Sequence, residues 1–146
     1  MRRILAFSAV GLVAAVLAAC GGNGPAGTCN PGPLLAAPVL LYPIPGATGV
    51  PDSPGYLVVA NVGPASGSLY LIPPSGGSGI AAQALAPVPS PAPSPAASAP
   101  ANSTSLAASI PTLTGGTAYT VKFTANQPSS CVQAQNSGSI GVFTTQ

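Results

Sequence analysis

The chain has 146 residues, of which only three are Lys or Arg and one is Asp or Glu, and it contains no His. The four charged residues are Arg2, Arg3, Asp52 and Lys122. Acid–base catalysis, metal sites and nucleic-acid binding each require several ionisable or basic side chains. The composition therefore predicts a protein that is not an enzyme, holds no metal or cofactor, and has no nucleic-acid partner.

The first 19 residues have the form of an export signal. Arg2 and Arg3 give a basic start, and an apolar run follows from Ile4 to Ala19. As a helix this run would span about 24 Å, which is short of the ~30 Å hydrocarbon core of a bilayer. A signal peptide at residues 1–19 is therefore favoured over a transmembrane anchor.

The apolar run ends in Leu17-Ala18-Ala19-Cys20, which resembles the lipobox of bacterial lipoproteins. In that family the chain is cut before the cysteine, and acyl chains such as palmitate are added to the thiol and to the new N-terminus. The resemblance implies lipidation of Cys20 and anchoring in the cell envelope on the exported side, with the outer membrane or cell surface included. Two or three acyl chains suffice for stable anchoring. An ordinary secretory signal that contains a cysteine is the alternative.

Two segments of biased composition follow. Residues 20–38 are rich in Gly, Pro, Ala and Asn, which predicts a flexible tether. Residues 86–102 alternate Pro with Ala, Ser and Val. Alternating Pro removes backbone donors and fixes φ, which excludes helix and inner strand and leaves polyproline II or disorder. A flexible surface loop is favoured over a PxxP-type ligand or an O-glycosylated stalk.

Two cysteines, Cys29 and Cys131, remain after the lipobox. An even number in an exported chain favours one disulfide. For a loop of about 100 residues the chain-entropy model assigns such a bridge ~4–5 kcal/mol. Two free thiols are the alternative, and no His or carboxylate lies near either cysteine to complete a metal site.

Strand patterns dominate residues 39–146. The clearest is at 118–125, where apolar and polar residues alternate as in a half-buried antiparallel strand. Six further strands are predicted, at residues 39–42, 56–62, 68–72, 79–85, 104–110 and 139–145. Seven short strands separated by Gly- and Pro-rich turns predict an all-β antiparallel sandwich.

Three segments in this region resemble bacterial Ig-like and fibronectin type III domains. Residues 45–51 are similar to the opening P-x-G-A-T-x-V-P, and residues 113–121 to the L-x-P-G-T-x-Y-x-V that leads into strand F. Residues 141–145 are similar to the closing G-x-F-T-T strand. The usual Pro at Gly115 and a core Trp are missing. The resemblance implies one Ig-like domain at 39–146, with the 86–102 segment inserted between its middle strands.

The same resemblance assigns roles to three residues. Tyr119 corresponds to a tyrosine corner, whose hydroxyl bonds the backbone a few residues upstream; an ordinary core tyrosine is the alternative. In such sandwiches the chain enters the first strand at the pole where strand F hands over to strand G. Cys29 and Cys131 flank these strands, so a bridge between them would clamp the tether to the F–G loop.

The favoured function is a lipid-anchored, non-catalytic module of the bacterial envelope that acts as a spacer or as a binding or adhesion domain. An accessory subunit of an envelope complex, joined through an exposed sheet edge, is the alternative. Partners would be the membrane, through the lipid, and an envelope protein or a carbohydrate. Candidate surfaces are the 51–55 turn, the 86–102 segment and the loop around 127–136. That loop offers the neutral hydrogen-bonding groups of Gln127, Gln133, Gln135 and Asn136, although a merely solvated loop is the simpler interpretation.

Overall fold

A computed structural model describes residues 35–126 and 135–146. Every helix or strand in this part of the chain is a β-strand. The strands are β1 (Val39–Tyr42), β2 (Tyr56–Ala60), β3 (Gly67–Ile72), β4 (Ile80–Ala81), β5 (Ala86–Pro87), β6 (Ser105–Ser109), β7 (Ala118–Ala125) and β8 (Gly138–Thr144). They form two antiparallel sheets of four strands, in the orders β1-β2-β6-β5 and β4-β3-β7-β8, here named the first and second sheet. The predicted all-β antiparallel architecture is confirmed.

The inner faces of the two sheets share one apolar core. The alternation of β7 buries Tyr119, Val121 and Phe123, each no more than 2% exposed, and leaves the intervening side chains on the outer face. Leu57 and Val59 of β2 meet them from the first sheet in the same cluster. The packing of two half-buried sheets is therefore consistent with a β-sandwich.

The outer face of the first sheet is apolar as well. Val58 and Ala60 of β2 point away from the inner core, and they form a second buried cluster with Leu41 of β1 and Ala107 of β6. A sheet with one solvated face alternates apolar and polar residues, whereas β2 is apolar and buried over its last four positions. Something must therefore cover this outer face.

The cover is the Pro-rich segment at residues 86–102, here named the strap. It begins with β5 at one edge of the first sheet, and its residues Val88 and Ala97 pack against the second cluster. The backbone N–H of Ala97 donates a 2.8 Å hydrogen bond to the carbonyl of Leu41, on β1 at the opposite edge. The sequence predicted a flexible surface loop here. Outside β5 the segment is a loop whose residues are mostly exposed, and it lies across the sheet because the face beneath it is apolar.

The strand predicted at 79–85 is too long. Only β4 is strand there, because the chain then passes from one sheet to the other. The N–H of Ala82 donates to the carbonyl of Leu69 in the second sheet, and the N–H of Gln83 donates to that of Ser109 in the first. The following strand, β5, was not predicted, because the alternating prolines argued against a strand inside a sheet. Its two residues pair with β6 at the sheet edge, where proline is tolerated.

The segment between β1 and β2 covers the edge of the second sheet. Residues 46–50 run beside β8, with a parallel bridge between Val50 and Thr145. The N–H of Gly46 donates to the carbonyl of Val142 at 2.7 Å, and the N–H of Thr144 donates to that of Ala47 at 2.8 Å. The backbone groups at the Val142–Thr144 end of this edge of β8 are therefore satisfied within the chain.

A charge placed under the strap tests whether the outer face is covered. Ala107 is 5% exposed and lies on central strand β6, so we expect Ala107→Asp to lower the free energy of unfolding by about 3–5 kcal/mol, because the carboxylate is buried without a partner. Thr124→Asp is the control, since Thr124 is exposed on the outer face of central strand β7; a change below about 1 kcal/mol is expected there. Urea unfolding measures both. Equal small losses would show that the face under the strap is open to water.

Candidate interaction surfaces

The sandwich has two poles. The chain described here enters at the N-terminal pole, formed by residues 35–38, 61–66, 100–104 and 135–137. It ends at the C-terminal pole, formed by residues 43–55, 73–79, 110–117 and 145–146. The strand registers establish this division, because the start of β1 pairs with the end of β2, and the end of β7 pairs with the start of β3.

Most of the predicted site residues lie outside the described residues. These are the lipidation site Cys20, the predicted disulfide partners Cys29 and Cys131, and the loop glutamines Gln127 and Gln133. The described ones are Tyr119, Gln135 and Asn136.

Gln135 ties the chain that leads into β1 to the rest of the domain. Its side chain is 8% exposed, and its amide nitrogen donates to the carbonyl oxygens of Ala36, at 3.2 Å, and of Asn61. Asn61 in turn donates from its own amide nitrogen to the carbonyl of Ala37 at 3.0 Å. The sequence placed Gln135 on a candidate binding loop. Its amide nitrogen is committed to the framework of the domain, and only its neighbour Asn136 is exposed.

Asn61 occupies a special backbone position at this pole. Its φ is 59°, in the left-handed region that Asn tolerates better than most residues. A cleft of about 410 Å³ lies beside it and is lined by neutral groups that include Ser66, Asn102 and Gln135. The N-terminal pole thus offers amide and hydroxyl groups but no charge.

Tyr119 connects the core to the turn before β7. Its ring is 2% exposed and packs against Phe143, with 6.0 Å between ring centroids. Its hydroxyl oxygen accepts a 2.9 Å hydrogen bond from the backbone N–H of Thr114, five residues upstream. Gly116 allows the turn between them, since its φ is +63°. The hydroxyl therefore fixes the turn to the buried end of a core strand.

The C-terminus is held by the same turn. The hydroxyl of Thr145, which is 3% exposed, donates to the carbonyl of Thr114 at 2.7 Å and accepts from the N–H of Thr117 at 3.0 Å. The amide nitrogen of Gln146 donates to the carbonyl of Gly49 at 3.0 Å. The C-terminal pole is therefore built from turns that are bonded to one another and to the end of the chain.

Two clefts open at this pole. One of about 210 Å³ lies between the strap and the segment after β1, with Tyr42, Thr48 and Ser94 among its lining residues. The other, of about 640 Å³, is lined by residues that include Ile80 and Thr117. Both combine apolar surface with a few hydroxyl groups, which is the usual character of a small-ligand site, although the first is smaller than most such sites.

The two charged side chains of the described region stay apart from these clefts. Asp52 is exposed in the 51–55 turn, where its backbone carbonyl accepts a 2.7 Å hydrogen bond from the N–H of Leu113. Lys122 is exposed on the outer face of β7, opposite Tyr70. Neither lines any of the three clefts. The clefts can therefore recognise a ligand by shape and neutral hydrogen bonds rather than by charge.

Residues 35–126 and 135–146 contain no group of three His, Cys, Asp or Glu side chains that could hold a metal ion. They also contain no helix that is both long and apolar enough to cross a membrane.

Comparison with known proteins gave no relative. The chain matches no family model, no curated protein and no solved structure.

Removal of the Tyr119 hydroxyl measures its hydrogen bond to Thr114. We expect Tyr119→Phe to lower the free energy of unfolding by about 1 kcal/mol, because the ring still packs and only the bond is lost. Tyr70→Phe is the control, since Tyr70 is half-buried on the outer face of the second sheet, where the described residues provide its hydroxyl with no partner. The midpoints of urea unfolding give both changes in the free energy of unfolding, provided that the dependence of this free energy on urea concentration is the same in all variants. Equal changes in the two variants would contradict a special role for the Tyr119 hydroxyl.

The predicted Cys29–Cys131 disulfide lies outside the described residues, but the residues that follow each cysteine meet. Gln135 follows Cys131 closely, and Ala36, whose carbonyl it binds, follows Cys29 closely. We expect alkylation of the unreduced full-length protein to leave both cysteines unmodified, and alkylation after reduction to modify both. Peptide mass spectrometry reads the result. Alkylation of both thiols without reduction would disprove the bridge.

Proposed function

We propose that the described domain is Ig-like. The strand order β1-β2-β6-β5 beside β4-β3-β7-β8 matches the strand arrangement of an immunoglobulin-type sandwich, with strands A, B, E and D in one sheet and the strands around C, F and G in the other. The bond from the Thr114 N–H to the Tyr119 hydroxyl supports this assignment, because it has the form of a tyrosine corner before strand F. The sequence resemblance of residues 45–51, 113–121 and 141–145 points the same way.

The chain as a whole is, in this proposal, an exported lipoprotein anchored through Cys20. The observation that carries the functional part of the proposal is a set of hydrogen bonds at the N-terminal pole. Gln135 and Asn61 hold the carbonyls of Ala36 and Ala37, so the chain that comes from the anchor joins the domain at that pole. The C-terminal pole is then the end of the domain opposite its attachment to the tether.

The proposed role is that of a non-catalytic spacer or binding module that presents its C-terminal pole. The two clefts and the 51–55 turn lie at this pole, where an envelope protein or a neutral carbohydrate can reach them. The two described residues of the predicted 127–136 loop, Gln135 and Asn136, belong to the N-terminal pole instead, and Gln135 is committed there to the framework. The C-terminal pole is for these reasons the favoured contact surface.

The alternative, an accessory subunit joined by strand addition, has less support. Strand addition needs a long open edge. In the described residues β4 and β5 have two residues each, residues 46–50 bond the Val142–Thr144 end of β8, and the strap bonds the carbonyl of Leu41 on β1. A subunit would have to dock by its surfaces rather than by its edges.

Substitution of the lipobox cysteine tests the anchor. We expect the full-length protein to incorporate labelled palmitate and to sediment with membranes, and Cys20→Ser to lose both properties, because a serine hydroxyl does not replace the thiol as acyl acceptor. Cys29→Ser is the matched control and should behave like the unchanged protein in labelling and sedimentation. Palmitate retained by Cys20→Ser would overturn the lipoprotein proposal.

A photo-crosslinking residue tests which pole is presented. Ser75 is exposed at the C-terminal pole, and Ala65 is exposed at the N-terminal pole. In intact cells we expect a crosslinker at Ser75 to capture envelope components and one at Ala65 to capture at least several-fold less. Equal capture from both positions, together with co-purification of the same partner in detergent, would favour the accessory subunit.

A further inference from the structure

The strap has an inner and an outer side. Val88, Pro93 and Ala97 are only partly exposed, and Val88 and Ala97 pack on the outer cluster of the first sheet. Three serines, Ser90, Ser94 and Ser98, are all exposed. The segment therefore presents apolar groups to the sheet and hydroxyl groups to solvent.

The three serines are exposed to solvent in the described part of the chain. Within the described part of the chain no hydrogen bond engages the side chains of Ser90, Ser94 or Ser98. By contrast, Ser66 and Ser103 donate their hydroxyls to backbone carbonyls at 2.9 and 2.7 Å. The neighbours of the strap serines are Pro and Ala, whose small side chains leave the hydroxyls accessible to an enzyme that must reach them.

The strap also has the backbone that a modifying enzyme needs. Apart from the two residues of β5, it belongs to no strand of either sheet, and its prolines provide no N–H group for one. Because Ser90, Ser94 and Ser98 are exposed while Val88 and Ala97 hold the strap on the sheet, an active-site cleft can reach the serines without unfolding of the domain. Serine combined with proline also occurs in O-glycosylated stalks.

We propose that Ser90, Ser94 and Ser98 are acceptor sites for O-linked neutral sugars. In the transfer the serine Oγ forms a bond to the anomeric carbon of a sugar carried on a lipid-linked phosphate. The bond from that carbon to the phosphate oxygen breaks, the phosphate leaves with the electron pair, and the hydroxyl proton passes to a base of the transferase. The proposal rests on export of the chain, which the proposed function includes.

Sugars at these positions would supply the strongly hydrated groups that a nearly uncharged surface lacks. The described residues carry only Asp52 and Lys122 as charged side chains, whereas soluble domains rely on many charges to remain dispersed. Neutral sugars on the outer side of the strap add hydration without adding charge. They also leave the contacts of Val88 and Ala97 with the sheet unchanged.

The test is the mass of the full-length protein extracted from the cells that naturally produce it. We expect a mass above that of the lipidated polypeptide by whole sugar residues, and fragmentation that retains the sugar bond should locate them on the peptide that spans residues 86–102. The triple variant Ser90→Ala, Ser94→Ala, Ser98→Ala should lose the entire increment. The control variant Ser68→Ala, Ser75→Ala, Ser78→Ala removes three exposed serines outside the strap and should keep it.

The outcomes separate this proposal from the proposed function. A processed and lipidated chain without sugar, or with sugar only outside the strap, overturns the glycosylation sites and leaves the lipoprotein proposal intact. An increment that corresponds to phosphate also overturns them. A chain that retains residues 1–19 and carries no lipid overturns the proposed function, and with it the premise of the modification.

Discussion

Strand β2 carries four consecutive buried apolar residues, from Leu57 to Ala60, so both faces of the first sheet must be removed from water. The inner face is covered by the second sheet, as in any two-layer domain. The outer face would be left open in an isolated sandwich, and its Leu41, Val58 and Ala107 side chains would form an exposed apolar patch. The strap covers this outer face. It is therefore part of the fold rather than an appendage to it.

The lack of charge imposes a second requirement, on the sheet edges. Many β-proteins protect an edge with a lysine or another charged side chain. This domain has one lysine, Lys122, and it lies in the middle of β7 rather than at an edge. The edges are instead covered in part by the chain itself, through residues 46–50 at the Val142–Thr144 end of β8 and the strap at Leu41 of β1, or are only two residues long. Edge-to-edge association is therefore opposed by chain segments that cover the edges rather than by charged side chains that repel a second sheet.

Sequence patterns predicted the strands in which apolar and polar side chains alternate or which are flanked by Gly- and Pro-rich turns. The bounds of β1 and β7 agree with the prediction at both ends, and β6 and β8 agree within one residue. The strand at 79–85 failed because the chain crosses between sheets after Ala81, and no local pattern reports a change of sheet. The packing of the strap on the sheet was not predicted, for a related reason. Its contacts are few and small, yet the unbroken apolar run of β2 was a visible sign that a second cover was needed.

The polar residues were harder to place than the apolar ones. Gln135 stands in a run of neutral polar residues that resembles a solvated loop, and nothing in the sequence indicates that its amide reaches Ala36 and Asn61. That contact joins residues 99 positions apart, so it depends on the tertiary fold. Tyr119 was easier, because its strand alternation directs the ring inward and the nearby glycines bring the backbone of Thr114 within reach.

The composition of the strap follows from what it covers and what it must avoid. A helix would need a continuous donor ladder, and an added strand would present a new open edge. Proline provides no N–H group and fixes φ, so a Pro-rich segment can lie on an apolar face at a reduced entropic cost and without a template for further pairing. Alanine and valine supply the contacts beneath, at Ala97 and Val88, and serine supplies the polar side above. In a domain that has almost no charge, a cover of this kind removes the apolar face from water without exposing a sheet edge.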